Sequence, residues 1–324
     1  MVKRHAKIFL ALAIVLSMSS PVLAREKKQD FPNRPIRFIV PYVAGGGNDV
    51  QSRGIAPYLE KHLGVRVVIY DRPGADGRIG VNEAWKSAPD GYTLVNSGWP
   101  TPIINQMLFS VNYKYREFTH LFAWSKDNIV LVVNAESWQT FGEFMADAQT
   151  RTLTCGISGI GSLTTIAGLA LEEAAKLKTV NWVPYSSGGE SVIALAGKHI
   201  DFGLTTMASA FSLASAGKLR PLLVFSDEKD PRFPNTPLPR EVGLNLTPLA
   251  TMWSAMAPPG LPPKVAQTLE QAFSKAVKEP DYLAWAKNAR IQISPIGSEK
   301  FLAQTLATEK EIVKHLDKIK AKFK

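Results

Sequence analysis

The order of segments near the start of the chain is the strongest constraint on its fold. Residues 36–41 (IRFIVP) form a short β-branched run, which predicts a buried strand. Three glycines at 45–47 interrupt this run, and residues 50–63 then carry apolar side chains at a helical period. A second β-branched run follows at 65–70 (VRVVIY). A strand, a glycine loop, a helix and a strand in this order predict a βαβ unit, and therefore a parallel sheet in an α/β fold.

The same alternation of strands and helices returns over residues 129–223, without a sequence repeat of fixed period. A proline-rich stretch and two amphipathic segments complete the 324 residues. A chain that begins one α/β lobe, builds a second and returns to the first predicts a two-lobed binding protein of the Venus-flytrap type, with two crossings between the lobes. We expect residues 25–123 and 224–324 to form lobe 1 and residues 124–223 to form lobe 2, with the ligand in the cleft between them.

Residues 1–24 have the pattern of a cleavable export signal. Three basic residues precede an apolar run at 8–18, and Val22 and Ala24 supply the −3 and −1 residues of a cleavage site. The apolar run is too short for a membrane anchor, since a span needs about 20 residues. We therefore expect cleavage after Ala24 and a mature protein located in the periplasm.

The sequence contains no constellation typical of a catalytic or metal site. The histidines after the export signal are isolated from one another, at His62, His120, His199 and His315. The single cysteine, Cys155, excludes an internal disulfide and has no histidine close in sequence that could activate its thiol. Neither the H-E-x-x-H zinc motif nor the G-x-S-x-G nucleophile elbow occurs. We therefore expect no catalytic residues, no metal ligands and no cofactor.

The formal net charge of +10 does not indicate a nucleic-acid partner. Part of the charge belongs to the export signal, and the lysines of residues 314–324 fit one solvated helix face. We expect a monomer that binds no nucleic acid.

Two loops of glycine and polar residues are the best candidates for ligand binding. Residues 45–49 (GGGND) and 158–162 (SGIGS) each lie between a predicted strand and a predicted helix. Glycine tolerates positive φ, so that successive N–H groups can turn inward, and the helix start adds partial positive charge. A tight turn capped by Asn48 or Asp49 would explain the first loop without a ligand. One such loop in each lobe nevertheless favours an acidic ligand held from both sides, without a buried arginine.

A set of short motifs in a fixed order carries a resemblance to a known family. The motifs are PIRFIVP at 35–41, GGGND at 45–49, DRPGA at 71–75, APDGYTL at 88–94, VPY at 183–185, AGKLR at 216–220 and APPG at 257–260. In this order they resemble the Bug-type (TctC-like) periplasmic solute receptors of tripartite tricarboxylate transporters.

The resemblance implies a Venus-flytrap protein that captures a small carboxylate and delivers it to inner-membrane permease subunits. It also implies that main-chain groups and ordered waters of two loops hold the carboxylate. The predicted ligand-binding set combines both loops with residues at other strand ends, where Trp99 could face either the core or the cleft. This set is Tyr42, Ala44, Gly46, Gly47, Asn48, Asp49, Ser97, Trp99, Ser158, Gly159, Ile160, Gly161, Ser162 and Thr205.

Several of these positions depart from the family pattern. Asn48 stands where Thr or Ser is usual and keeps a hydrogen-bond donor. In the second lobe, Ile160 replaces a common Asn, Leu163 a common Ser and Thr165 a common His, while Thr205 stands where an Asp often lies. Because the second lobe has lost polar groups and a negative charge, we expect a ligand whose far end is less cationic and more apolar than an amino acid. An aromatic or alkyl carboxylate would fit.

Two other functions stay open at this point. A periplasmic sensory protein with the same fold would present its solute to a signalling kinase rather than to a permease. An exported hydrolase acting on an acidic substrate would need an activated nucleophile, for which the sequence offers no candidate.

Overall fold

A computed structural model describes residues 31–322, so the predicted export signal at 1–24 lies outside the described residues. The strands within this range are β1 to β10. Their bounds are Ile36–Val40, Val67–Asp71, Thr93–Asn96, Thr119–Asn134, Thr152–Ile157, Thr179–Pro184, Phe202–Thr206, Leu219–Val224, Ala250–Ala257 and Gln292–Gly297.

The α-helices of the same range are α1 to α10. Their bounds are Gly47–Leu63, Arg78–Trp85, Thr101–Leu108, Phe141–Ala148, Leu163–Ala174, Gly188–Ala196, Met207–Ser215, Pro263–Ala276, Pro280–Asn288 and Ser298–Lys322. Over residues 31–322, no helix combines the length and the apolar composition that a bilayer crossing requires.

The predicted βαβ unit is confirmed, because β1 and β2 are parallel neighbours joined by α1. The strands form a sheet with the order β2-β1-β3-β9-β4-β7-β5-β6, and β8 and β10 also pair with β4. Residues 119–128 of β4 pair with β9, whereas residues 129–134 pair with β7 and β8. We propose that the two lobes divide at this change of partners. Lobe 1 then contains β1, β2, β3, β9 and β10, and lobe 2 contains β5 to β8.

The segments that return the chain from lobe 2 to lobe 1 are hydrogen-bonded to one another and to β4 beside this division. Ile129 donates its N–H to the carbonyl of Leu249 at 3.0 Å, and Phe225 donates to the carbonyl of Ile129 at 2.9 Å. Leu249 in turn donates to the carbonyl of Phe225 at 2.9 Å. These three residues are buried, so the two crossings are joined by main-chain hydrogen bonds in a dry environment.

Each lobe has aromatic side chains at its centre. In lobe 1, Trp124 stacks on Phe273 with ring centroids 5.6 Å apart. In lobe 2, Phe144 meets Phe202 edge to face at 5.1 Å. Helix α10 follows β10 of lobe 1 and reaches lobe 2, where its Lys318 pairs with Glu173 of α5 at 2.8 Å. Buried apolar side chains are also continuous between the lobes, since Val95 of lobe 1 and Phe144 of lobe 2 belong to one cluster.

Candidate ligand-binding cleft

Six strand-to-helix junctions meet at one cavity between the lobes. Strands β1, β2 and β3 are parallel to one another, as are β5, β6 and β7, and each is followed by a helix. Every one of these six junctions contributes to the wall of a cavity of about 660 Å³. In open α/β sheets, ligands bind at the carboxyl ends of the strands, where helix N-termini concentrate partial positive charge. The arrangement therefore favours an anionic ligand.

Both lobes line this cavity. Lobe 1 contributes Tyr42, Asn48, Asp76, Arg78, Gly98, Thr101, Phe109 and Thr251. Lobe 2 contributes Ser158, Gly159, Ile160, Gly161, Ser162, Leu163, Thr164, Pro184, Tyr185, Ser186, Ser187 and Thr206, and Ile129 lies at the crossing.

The loop at 45–49 is held from behind by a buried carboxylate. Asp49 accepts the N–H of Gly45 at 2.7 Å and pairs with Arg53 at 2.5 Å. Arg53 also pairs with Asp71 at 2.7 Å, which ties the loop to the end of β2. Burial, together with the nearby Asp49 charge, raises the pKa of the Asp71 carboxyl, and Arg53 opposes this rise. Asp49 thus braces the loop and is not itself part of the cavity wall.

A buried amide, Asn96, fixes two residues of the wall. Its side chain donates to the carbonyl of Asn48 at 3.2 Å and accepts the N–H of Gly98 at 3.1 Å. Gly98 has φ +51, and a Cβ there would lie 2.9 Å from Asn48 Oδ1 and 3.1 Å from Tyr42 Cε2. Burial raises the pKa of Tyr42, so its phenol stays a neutral hydrogen-bonding group. Only glycine at position 98 lets Asn48 and Tyr42 pack this closely.

The loop at 158–162 is held by hydroxyl groups instead. Thr164 Oγ1 accepts the N–H of Ser158 at 3.0 Å and lies 2.6 Å from Ser162 Oγ. The carbonyl of Gly159 accepts hydrogen bonds from Ser162 Oγ at 2.7 Å and from Thr165 Oγ1 at 2.9 Å. Gly159 has φ +95, the left-handed region that favours glycine. This brace carries no charge.

The six helix starts differ in how many N–H groups they leave for a ligand. Turn hydrogen bonds occupy the first N–H groups of α2 and α3, and side chains cap α6 and α7. No side chain caps α1 or α5. Among residues 31–322 we find no acceptor for the N–H groups of residues 47–49 or 159–164. Of these residues, Asn48 in lobe 1 and residues 159–164 in lobe 2 line the cavity, so these two helix starts are the best supplied with neutral donors for an anion there.

The cavity wall includes one pair of charged side chains, Asp76 and Arg78. The Arg78 guanidinium lies over the Phe109 ring, 4.0 Å from its centroid. Desolvation raises the pKa of the Asp76 carboxyl, and the Arg78 charge opposes this rise. Neither residue belongs to the predicted ligand-binding set, although both lie in the junction between β2 and α2.

The structure brings seven of the predicted ligand-binding residues to the cavity wall. Tyr42 and Asn48 line it from lobe 1, and the whole segment 158–162 lines it from lobe 2. Ala44, Gly46 and Gly47 belong to the first loop but lie outside the cavity wall and are partly exposed to solvent.

The other predicted residues are buried away from the cavity, so the structure differs from the prediction there. Trp99 is 2% exposed and packs edge to face against Phe301 of α10. Ser97 is buried with its hydroxyl 2.5 Å from that of Ser254. Thr205 is also buried, because side chains alternate along a strand and the following residue, Thr206, is the one that reaches the cavity.

Most of the residues that the sequence analysis missed follow one rule. Tyr185, Ser186 and Ser187 lie between β6 and α6, and Thr101 begins α3 after β3. A search of every predicted strand end, rather than of glycine-rich loops alone, would have found them. Phe109 ends α3 and carries no such signal, since only the packing of the folded chain brings it to the wall.

Comparison with known proteins decides the family. Residues 52–318 match the model of the tripartite tricarboxylate transporter family receptor, TctC. The chain belongs to this family. This TctC-family protein is 30% identical to the "UPF0065 protein in gbd 5'region" of Cupriavidus necator, over 99% of this chain and 100% of the relative. It is 29% identical to protein BugT of Bordetella pertussis, over 84% of this chain and 82% of the relative.

A solved structure agrees with the fold. A TctC solute-binding protein from Polaromonas has a TM-score of 0.78 and 26% identity, covering 89% of this chain and 99% of that chain. The resemblance inferred from the ordered motifs and the predicted two-lobed α/β binding-protein fold are therefore confirmed. The protein is a TctC-family solute-binding receptor.

Proposed function

We propose that this receptor captures a small carboxylate in its cleft in the periplasm and delivers it to permease subunits of a tripartite tricarboxylate-type transporter. One observation carries the proposal. Uncapped helix starts with free N–H groups, α1 in lobe 1 and α5 in lobe 2, reach the same cavity. N–H groups at a helix start favour an anion by about 0.3–1 kcal/mol, and by up to ~2 kcal/mol where the site is sheltered.

These contributions are sufficient for a transport receptor. Micromolar affinity requires about −8 kcal/mol. Several N–H contacts from both loops, together with burial of apolar surface at about 25 cal/mol per Å², reach this value for a small acid. Because the donors come from both lobes, the ligand stabilises the closed form through contacts that it makes only there.

The side chains of the second lobe favour a ligand without a cationic far end. Ile160, Leu163 and Pro184 are apolar residues of its wall, and Thr205 is buried away from it. The cavity wall contains one carboxylate, Asp76, whose negative charge is partly offset by the nearby charge of Arg78. We propose an alkyl or aromatic carboxylate as the ligand class.

We propose that the cleft binds its ligand without chemical change. Over residues 31–322, no histidine or cysteine lines the cavity. Cys155 is buried, and burial raises the pKa of its thiol well above its usual range, which keeps it protonated. The serines of the wall therefore have no imidazole in the cavity that could activate them.

A charge placed in the second loop tests the proposal directly. Ile160 lies in the cavity wall and is 37% exposed, so that Ile160→Asp adds a carboxylate without opening a core. We expect this variant to lose at least 100-fold in affinity, because two like charges would share the cavity. Ile193→Asp is the matched control, since Ile193 is 69% exposed on α6, outside the cavity, and the variant should bind as the original protein does.

The measurement begins with native mass spectrometry of freshly purified protein, which detects an acid retained from the cell. A thermal-shift screen of mono- and dicarboxylates, with amino acids as the zwitterionic arm, then gives the class, and calorimetry of the two variants gives the affinities. Equal binding by Ile160→Asp and Ile193→Asp would contradict the site, and a preference for aspartate-like zwitterions would contradict the ligand class. Uptake of the identified acid by cells lacking this receptor tests delivery, and unchanged uptake would contradict it.

A further inference from the structure

Within residues 31–322, Arg78 is the only arginine in the wall of the cavity between the lobes. Eight of the twelve arginines in residues 31–322 form ion pairs with Asp or Glu. Arg78 forms none there, although it lines the cavity and Asp76 is only two residues away. Its guanidinium rests on the Phe109 ring at 4.0 Å. The side chain is therefore positioned by a neutral partner, and its donors are left for another group.

The chemistry of this side chain specifies what it can bind. A guanidinium presents five N–H donors in a planar fork, which matches a carboxylate, sulfonate or phosphonate with two parallel hydrogen bonds. The Phe109 ring attracts the guanidinium through its π face and supplies no oxygen acceptor for these donors. Because such a fork is pre-organised, less side-chain entropy is lost on binding than a lysine would lose.

The position of Phe109 places this fork beside the second loop. A Cβ on Gly161 would lie 3.8 Å from Phe109 Cε2 and 3.5 Å from Leu108 Cδ1. The end of α3 therefore meets the loop of lobe 2 at the edge of the cavity. Arg78, which contacts Phe109, lines the same cavity as residues 159–162.

We propose that Arg78 is a specificity-determining residue that binds a second anionic group of the solute, at the end away from the carboxylate held by the two loops. This inference rests on the proposed function, and it refines the ligand to an acid with an apolar middle and two anionic ends. The negative charge of Asp76 weakens the general attraction of anions to this part of the wall. A ligand therefore gains affinity there only if its second anionic group hydrogen-bonds directly to the Arg78 guanidinium.

The test uses pairs of acids that differ only in the second carboxylate. Calorimetry compares butyrate with succinate, hexanoate with adipate, and octanoate with suberate. For the best-fitting length, we expect the diacid to bind at least tenfold more tightly than the monoacid. Arg78→Gln should remove this preference, so that the diacid loses at least tenfold more affinity than the monoacid does. Arg78→Lys should restore part of the preference, because it keeps the charge and loses the fork.

Arg34→Gln is the matched control. Arg34 also lies over an aromatic ring, 3.9 Å from the centroid of Tyr92, and is not among the residues of the cavity wall. This variant should keep the preference for the diacid. If monoacids and diacids bind the unmodified protein equally at every length, or if Arg78→Gln weakens both by the same factor, Arg78 does not select the ligand, while the receptor function stands. If no carboxylate binds at all, the proposed function itself fails.

Discussion

The two lobes hold their sides of the cleft with different chemistry. In lobe 1, the loop at 45–49 depends on the buried Asp49 carboxylate and on Arg53 behind it. In lobe 2, the loop at 158–162 depends on hydroxyl groups centred on Thr164. The two loops thus present similar main-chain donors through an ionic brace and a neutral brace. Both loops therefore share main-chain donors for the ligand, whereas the side chains that support those donors differ between the lobes.

The strand that joins the lobes shows the same contrast. In residues 119–128 of β4, which pair within lobe 1, polar and charged side chains such as His120 and Asp127 are buried. In residues 129–133, which pair within lobe 2, all five side chains are apolar. Lobe 1 therefore contains ionisable groups whose charge state matters for stability, and this part of lobe 2 does not.

The largest effect that we expect from this contrast is a loss of stability in acid. Burial lowers the pKa of His120 to about 4 from an ordinary value of about 6.5. As the pH falls below 6.5, the unfolded chain binds a proton at this side chain and the folded protein does not. The free energy of unfolding is at its full value above pH 6.5 and falls by roughly 3 kcal/mol between pH 6.5 and pH 4.

Denaturant unfolding across this pH range, on the unmodified protein and on His120→Gln, gives the measurement. The variant should lose this part of the pH dependence whatever its absolute stability. His199→Gln, at an exposed position of lobe 2, should keep it. Parallel pH profiles for His120→Gln and the unmodified protein would show that the lobes do not differ in this respect.

The second prediction compares the two braces by ligand affinity. Asp49→Ala removes charge-assisted hydrogen bonds to Gly45 and Arg53, so that the first loop loses its support. We expect affinity for the carboxylate to fall about 30-fold, against about fivefold for Thr164→Val, which removes neutral hydrogen bonds. Thr164→Ser keeps the hydroxyl and should bind normally. Asp49 is also a negative charge near an anion site, so a rise in affinity on its removal would refute the role of the ionic brace.

The smallest effect that we expect is on the stability of variants at the loop glycines. It tests whether glycine is needed in both loops for the same reason. Gly45 and Gly159 have φ +78 and +95, with no atom within 4 Å of a Cβ at either position. Alanine at either position should therefore cost about 1 kcal/mol of stability through backbone strain alone. Gly47 begins α1 without left-handed φ, and a Cβ there would have ordinary contact with Trp253 at 3.6 Å. Gly47→Ala should be neutral within about 0.5 kcal/mol in denaturant unfolding, and a cost equal to the other two would contradict this assignment.

The contrast within β4 also explains what could be predicted from the sequence. Residues 129–133, at the start of the alternation predicted over 129–223, are a continuous β-branched and leucine run, which is typical of a buried strand. Residues 119–128 belong to the same strand but contain His, Lys, Asp and Asn, so their pattern does not indicate a strand. Their polar groups are buried through partners from distant segments, such as Arg232, which pairs with Asp127. Such pairing is a property of the folded chain.

The cleft was predictable to a similar extent. Glycine and polar residues between a strand and a helix predicted both loops, because such residues favour turns and helix starts through local interactions. The direction of a side chain at a strand end depends on alternation and on neighbouring helices, which is why Trp99 lies in the core and Thr206, not Thr205, reaches the cavity. The contact between Arg78 and Phe109 joins two helix ends that are 31 positions apart, and no local pattern encodes it.

The central claim is that one carboxylate is held by N–H groups of both lobes at once. A crystal structure of the protein with the acid that native mass spectrometry identifies tests this claim most directly. We predict carboxylate oxygens at about 3 Å from the main-chain nitrogen of Asn48 and also from those of residues 159–164. An acid bound through one lobe alone, or seated away from both loops, would contradict the account.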